Sequence, residues 1–221
     1  GSSPSGPFTK IRSFSKQDLS RSDAPVVSIE GGKLFPGPSG LEMIVSTEKG
    51  IAYPESLASF QKPGTGVWSI DCISAADVES LDSSTMTEVQ SSSQGATLHI
   101  KDPVVFESPT GGTALMFCSH PFGWSSSNTG LVVRGEGSDA FVLQTDTVLE
   151  RGATWDVACT RVTDRLAVPQ VGLFADLPPL SLYFYDGAEC LRSLDENATA
   201  VSRPRGYSCE ELGGLAWGWD A

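Results

Sequence analysis

The sequence predicts an all-β fold of short antiparallel strands, and three observations predict it. Brief apolar or β-branched runs recur between clusters of Gly, Pro, Asn and Asp. Helix signals are scarce. A proline-led strand–turn–strand pattern also returns along the chain. With 221 residues, 39% of them hydrophobic, the chain can fill one core, and 23 Gly with 14 Pro suit many strands joined by turns.

Taken in order, residues 1–10 read as an appended tag and flexible start, and residues 11–221 as a single all-β domain. The opening GSSPSGP lacks the charged and apolar regions of a signal peptide. Candidate strands then follow: APVVSI, LEMIVST, VWSIDCI, TLHI, PVVFE, TALMFCS, TGLVVR, AFVLQT, WDVACTRV, PQVGLF, LSLYFYD and GLAWGW. The best helical candidate is YPESLASFQ, Tyr53 to Gln61, bounded by Pro54 and Pro63; Ala75 to Ser84 reads as another short turn. No stretch is long and apolar enough to be a transmembrane helix, so no membrane partner is expected.

Three strand pairs look alike. DAPVV, from Asp23, precedes LEMIVSTEKG; DPVV, from Asp102, precedes TALMFCSHP; VPQV, from Val168, precedes LSLYFYDGAE. Their prolines at 25, 103 and 169 are 78 and 66 residues apart. That period suits antiparallel blades with loops, giving a propeller-like arrangement of about three to four repeats, which this length leaves incomplete. Either the chain is a fragment, or a second copy completes the ring by self-association, or the architecture is an open sandwich; an open arc of blades would leave sheet edges bare. Proline is tolerated at the first residues of a strand because its missing N–H falls outside the ladder. Asp-Pro-Val-Val can therefore enter a channel-lining strand with an acid at its lip, although Asp before Pro also opens ordinary turns.

Charge and cysteine content narrow the partners. A net charge of -12 offers no basic stripe for a phosphate backbone, so nucleic acid is not expected; neutral ligands such as sugars are compatible. The five cysteines, Cys72, Cys118, Cys159, Cys190 and Cys209, are odd in number, lack CxxC spacing and mostly sit in apolar runs. They read as buried thiols, which fits a cytoplasmic location without fixing it. With two histidines, His99 and His120, no three-histidine metal site can form, and no cofactor is expected; a hydrated calcium in an acidic channel stays open.

The DAPVV and KDPVV segments, followed by TALMFCSHP and LSLYFYDG, resemble the five-bladed β-propeller glycoside hydrolases of the arabinanase, xylosidase and invertase-like group. The resemblance spans about residues 20 to 190. It implies hydrolysis of a glycosidic bond by paired carboxylates, with carbohydrate as partner. By matching position, Asp23 resembles the catalytic base and Asp102 the aspartate that tunes the pair. The third repeat carries Val168-Pro where the family has a glutamate, leaving Glu189 or Glu210 for the acid. A non-catalytic glycan-binding module and a structural β domain of a larger assembly are the alternatives.

Other residues fill out the expected subsite. Trp124, followed by three serines and Asn128, is the tryptophan best placed to stack on a sugar, with His120 beside it. Arg161 is a candidate clamp for a ligand carboxylate, or else an inter-blade salt bridge to the chain's own acids. No nucleophile elbow, phosphate loop or dinucleotide fingerprint occurs.

Overall fold

A computed structural model describes residues 3–61, 64–95, 97–119, 126–189 and 211–219. It shows three successive antiparallel meanders. The first sheet holds β1 (Val26–Gly37), β2 (Gly40–Lys49), β3 (Val67–Ala75) and β4 (Thr87–Ser91) in sequence order. The second holds β5 (Lys101–Glu107), β6 (Thr113–Ser119), β7 (Asn128–Arg134) and β8 (Val142–Leu149). In the third, β10 (Leu180–Ala188) lies between β9 (Cys159–Ala167) and β11 (Leu212–Trp219). The chain is all-β and antiparallel, as its sequence predicts.

Local chemistry explains the turns. The β5–β6 connection ends in Gly111 and Gly112, both at positive φ, and a Cβ on Gly112 would sit 2.1 Å from the Arg134 carbonyl oxygen. Helical structure is confined to short pieces. The four-residue helix α1 (Lys16–Leu19) starts with a capping box, Ser15 and Asp18 each accepting from the other's backbone N–H. Glu55–Phe60, within the expected helical stretch, is a 3-10 turn, and Ser83–Thr85 is a shorter one.

Two expectations need correction. The third repeat does not begin at Val168-Pro169: residues 168–171 are a connection leading into the 3-10 turn Gly172–Phe174, and the first strand of that sheet is the earlier CTRVTDRLA. Pro169 supplies no N–H for a ladder, whereas the β-branched alternation of β9 does. The TLHI segment is not a strand either; it turns, with His99 at φ 58, and delivers Ile100 to the core.

The sheets pack face to face through continuous apolar clusters. Ile44, Ile70 and Cys72 of the first sheet meet Ile100, Leu115, Phe117 and Val132 at the second. Val104 and Met116 of the second sheet meet Val162, Tyr183 and Tyr185 of the third. Each such buried side chain contributes roughly 1.5–3 kcal/mol. The outward face of the first sheet is also covered: Val26 and Ile73 pack with Leu19 of α1, Leu81 and Met86. The first strands consequently lie in a row, β5 against β1 on one side and β9 on the other.

Candidate functional site

Where β1 and β5 meet, both strands break register. The β1–β2 pairing shifts between Glu30 and Gly32, and Gly31 between them has φ 57. The β5–β6 pairing shifts between Lys101 and Val104, and Asp102 has φ 56. A bulge leaves a residue outside the ladder and re-aims its side chain. Positive φ is uncommon for a residue with a Cβ, and aspartate tolerates it better than most. A Cβ on Gly31 would lie 3.6 Å from Asp102 Cα, so the two bulges face each other directly.

The bulge explains why a carboxylate opens an otherwise buried strand. The Asp102 backbone N–H, released from β6, donates to Ser46 Oγ on β2 at 3.0 Å. Its side chain turns toward the third sheet and accepts from Arg161 Nη1 at 3.1 Å. Arg161 lies on β9 directly opposite Asp186 of β10, and its Nη2 donates to Asp186 Oδ2 at 3.0 Å. The same nitrogen donates to Glu211, the residue immediately before β11. One guanidinium thus holds three carboxylates. Burial pulls the Arg161 pKa down, but Asp102, Glu211 and the Asp186 hydrogen bond outweigh it, and the net shift is upward. Through the fork, the engaged oxygens of Asp102 and Asp186 lie no more than about 8.5 Å apart.

A second ion pair adjoins this cluster. Lys101 Nζ donates to Glu30 Oε2 at 3.2 Å and sits 5.5 Å from the centre of the Trp68 ring. Burial lowers the Lys101 pKa, while Glu30 and Asp102 together push it higher than its ordinary value. Trp68 is buried, and its indole N–H has no hydrogen-bond partner among the described residues. Two cations, Lys101 and Arg161, against four carboxylates, Glu30, Asp102, Asp186 and Glu211, leave two negative charges in excess. Among the described residues, no group of three or more His, Cys, Asp or Glu is arranged to hold a metal ion.

The structure joins Asp102 and Arg161 from the sequence candidates and does not bring Asp23 to them. Asp23 is exposed in the Arg21–Ala24 turn that precedes β1. From Val26 to Gly31, which touches Asp102, extended strand alone covers roughly 16 Å. Asn128 is buried at the start of β7, donating to Thr147 Oγ1 at 3.0 Å. Glu189 directly follows β10 and is half-buried. Glu210, Trp124 and His120 lie outside the described residues. Cys72, Cys118 and Cys159 are buried, with burial raising the Cys72 and Cys118 thiols to about 11; Cys190 and Cys209 fall outside the described residues.

Asp186, Glu211, Glu30 and Lys101 escape the sequence reading. Asp186 was detectable: pairing TRVTD with LYFYD as neighbouring strands puts it across from Arg161. Glu211 lies 50 residues from Arg161 in sequence, a separation that local pattern does not resolve. Clefts among the described residues lie elsewhere, the roomiest of them, about 440 Å³, between Phe35 and Gly135. One of about 380 Å³ borders the Arg134–Glu42 pair, and one of about 210 Å³ is lined by apolar groups including Leu149, Val162 and Trp217. The Arg161 cluster takes precedence because three carboxylates share one cation there, whereas Arg134 is ion-paired with Glu42 alone.

No protein-family model matches the chain, and no curated protein matches it by sequence. Among solved structures it is similar to the crystal structure of an alpha-L-arabinofuranosidase from Lactobacillus brevis. The TM-score is 0.50 at 14% identity, covering 90% of this chain and 52% of that one. This chain thus spans about half the length of that enzyme. The likeness is one of fold.

Proposed function

We propose that the protein is carbohydrate-active and cleaves glycosidic bonds at the Arg161-centred carboxylates, within a propeller-like array of its three sheets. The observation carrying this reading is the convergence of Asp102, Asp186 and Glu211 on one guanidinium beside two facing bulges. The fold-level likeness to an arabinofuranosidase supports the substrate class.

Glycosidases flank the scissile bond with two carboxyl groups, roughly 5–5.5 Å apart when retaining and 6.5–9.5 Å apart when inverting. The bound on Asp102 and Asp186 is compatible with either. In this reading Asp102 is fixed in place by Arg161 and by its backbone bond to Ser46. Asp186 or Glu211 exchanges its contact with Arg161 for the sugar. Arg161 is a positioning residue that keeps like charges together.

One observation favours a second reading, a glycan-binding module without turnover. All three carboxylates accept hydrogen bonds from Arg161, and none is placed as a proton donor. A panel of aryl glycosides assayed with wild type, Asp102→Ala, Asp186→Asn and Glu211→Gln separates the two. Hydrolysis lost in the variants supports the enzyme; equal turnover in all four proteins refutes it. Glycan-array binding without turnover selects the module.

A further inference from the structure

The cleft of about 440 Å³ opens at the end of the first two sheets opposite the Arg161 cluster. Its walls are strand ends and turns. The β1–β2 hairpin contributes Phe35, Pro36 and Pro38, the end of β5 contributes Glu107, and the β7–β8 connection contributes Glu136. From Asp102 to Glu107, β5 covers roughly 16 Å, so this cleft is separate from the Arg161 cluster. Glu136 folds back over the turn that follows Glu107, its Oε2 3.4 Å from where a Cβ on Gly111 would sit. Neither carboxylate makes an ion pair among the described residues. Arg134 also borders the cleft, but Glu42 already neutralises it through two bonds. Negative charge is thus left beside an apolar wall.

The chain itself shows which group suits such a lining. Lys101 Nζ lies 3.2 Å from Glu30 Oε2 and 5.5 Å from the centre of the Trp68 ring. Arg134 bonds Glu42 while its guanidinium carbon lies 4.7 Å from the centre of the Phe141 ring. Both cations are shared by a carboxylate and an aromatic face, since each attracts positive charge. Phe35 with Glu107 and Glu136 repeats that set, and no cation or ring among the described residues engages Phe35. We propose that the cleft binds an alkylammonium or alkylguanidinium group, its head at Glu107 and Glu136 and its stem against Phe35 and the two prolines. Lysine and arginine side chains combine an apolar stem with a charged head, as do small aliphatic amines and guanidines. The chain's net charge of -12 draws such cations toward it. Because both glutamates are exposed and screened, an isolated head group binds weakly, with Kd about 1–10 mM.

Amide resonances of Gly112, Gly135 and Gly137, which line the cleft, report binding by NMR on isotope-labelled protein. Titrated n-butylguanidinium should shift all three to saturation, and uncharged n-butylurea of similar shape should leave them in place. Replacing both Glu107→Gln and Glu136→Gln should weaken binding at least about tenfold. Phe35→Leu should weaken it about threefold and serves as the independent readout if the double variant misfolds. Glu55→Gln removes an exposed charge on the 3-10 turn Glu55–Phe60, outside the cleft, and should leave binding unchanged. Tighter binding of the blocked peptide acetyl-Gly-Arg-Gly-amide than of n-butylguanidinium assigns the group to a polypeptide side chain; equal or weaker binding assigns it to a free small cation. Unshifted glycines with either cation, an equal response to n-butylurea, or glutamine and leucine variants that bind like wild type overturns the proposal.

Discussion

Two arginines tie neighbouring sheets together, and they do different things. Arg134 on β7 reaches Glu42 on β2 through two parallel bonds of 2.8 Å, and Nη2 also donates to Thr113 at 3.0 Å. That pair is sealed, with side chains 7% and 4% exposed. Arg161 on β9 reaches Asp102 on β5, but adds Asp186 and Glu211, and its partners are 26–33% exposed. A one-to-one bidentate pair satisfies both partners and leaves nothing to offer a ligand. Three carboxylates on one cation, within reach of water, leave charge unspent. The first arrangement is a joint between sheets; the second has capacity for chemistry.

The largest effect that would break this contrast is on stability. Arg134→Met should destabilise by about 3–5 kcal/mol, the cost of leaving the Glu42 charge buried without a partner. Chemical denaturation reads it directly. A loss under 1 kcal/mol would mean that water reaches Glu42 and the distinction fails.

Arg161→Met should cost less stability, about 1 kcal/mol after solvent screening, because its partly exposed carboxylates can turn to water. Any hydrolytic or glycan-binding activity should fall far more steeply. Equal stability losses in the two arginine variants would erase the difference between joint and site.

Thiol labelling sharpens the packing side. Five cysteines are present, and burial raises the pKa of all three described ones. A thiolate-selective reagent at pH 8 should therefore label no more than two equivalents in the native protein and five after unfolding. Faster labelling at Cys118 or Cys159 would show that the interior beside Arg161 opens.

The smallest effect is at low pH. Hydrogen bonds from the Ser15 backbone and hydroxyl hold the Asp18 carboxyl below its ordinary 3.8. A carboxylate whose folded pKa is depressed adds stability that is complete above the unfolded value and is lost as pH falls through the folded one. Asp18→Asn should therefore slightly lower melting temperature at neutral pH and leave it unchanged at pH 2. A difference that grows on acidification would contradict that linkage.

The sheet class and most strands were legible because a half-buried strand must alternate and a turn must use residues that permit it. TALMFCS announces itself instead as a short continuous apolar run, buried at all seven positions, and LSLYFYD as an aromatic-rich one, while the Gly111–Gly112 turn follows the turn rule. The acid at Asp102 was legible as an anomaly at a strand mouth. Its bulge was not, because positive φ at aspartate depends on what the displaced N–H and carboxylate find in other sheets.

The placement of Asp23 and the third repeat shows the same limit. Proline spacing made residues 23, 102 and 168 look equivalent, yet the first strands of the sheets begin at Val26, Lys101 and Cys159. Proline marks where a ladder is inconvenient; it does not say which neighbouring strand starts it. By itself, the sequence determined that this chain alternates into short antiparallel strands around buried thiols, since period and composition are local properties. Tertiary structure alone decided that Arg161 would gather Asp102, Asp186 and Glu211, because ion pairing depends on distance in space among residues up to 109 positions apart.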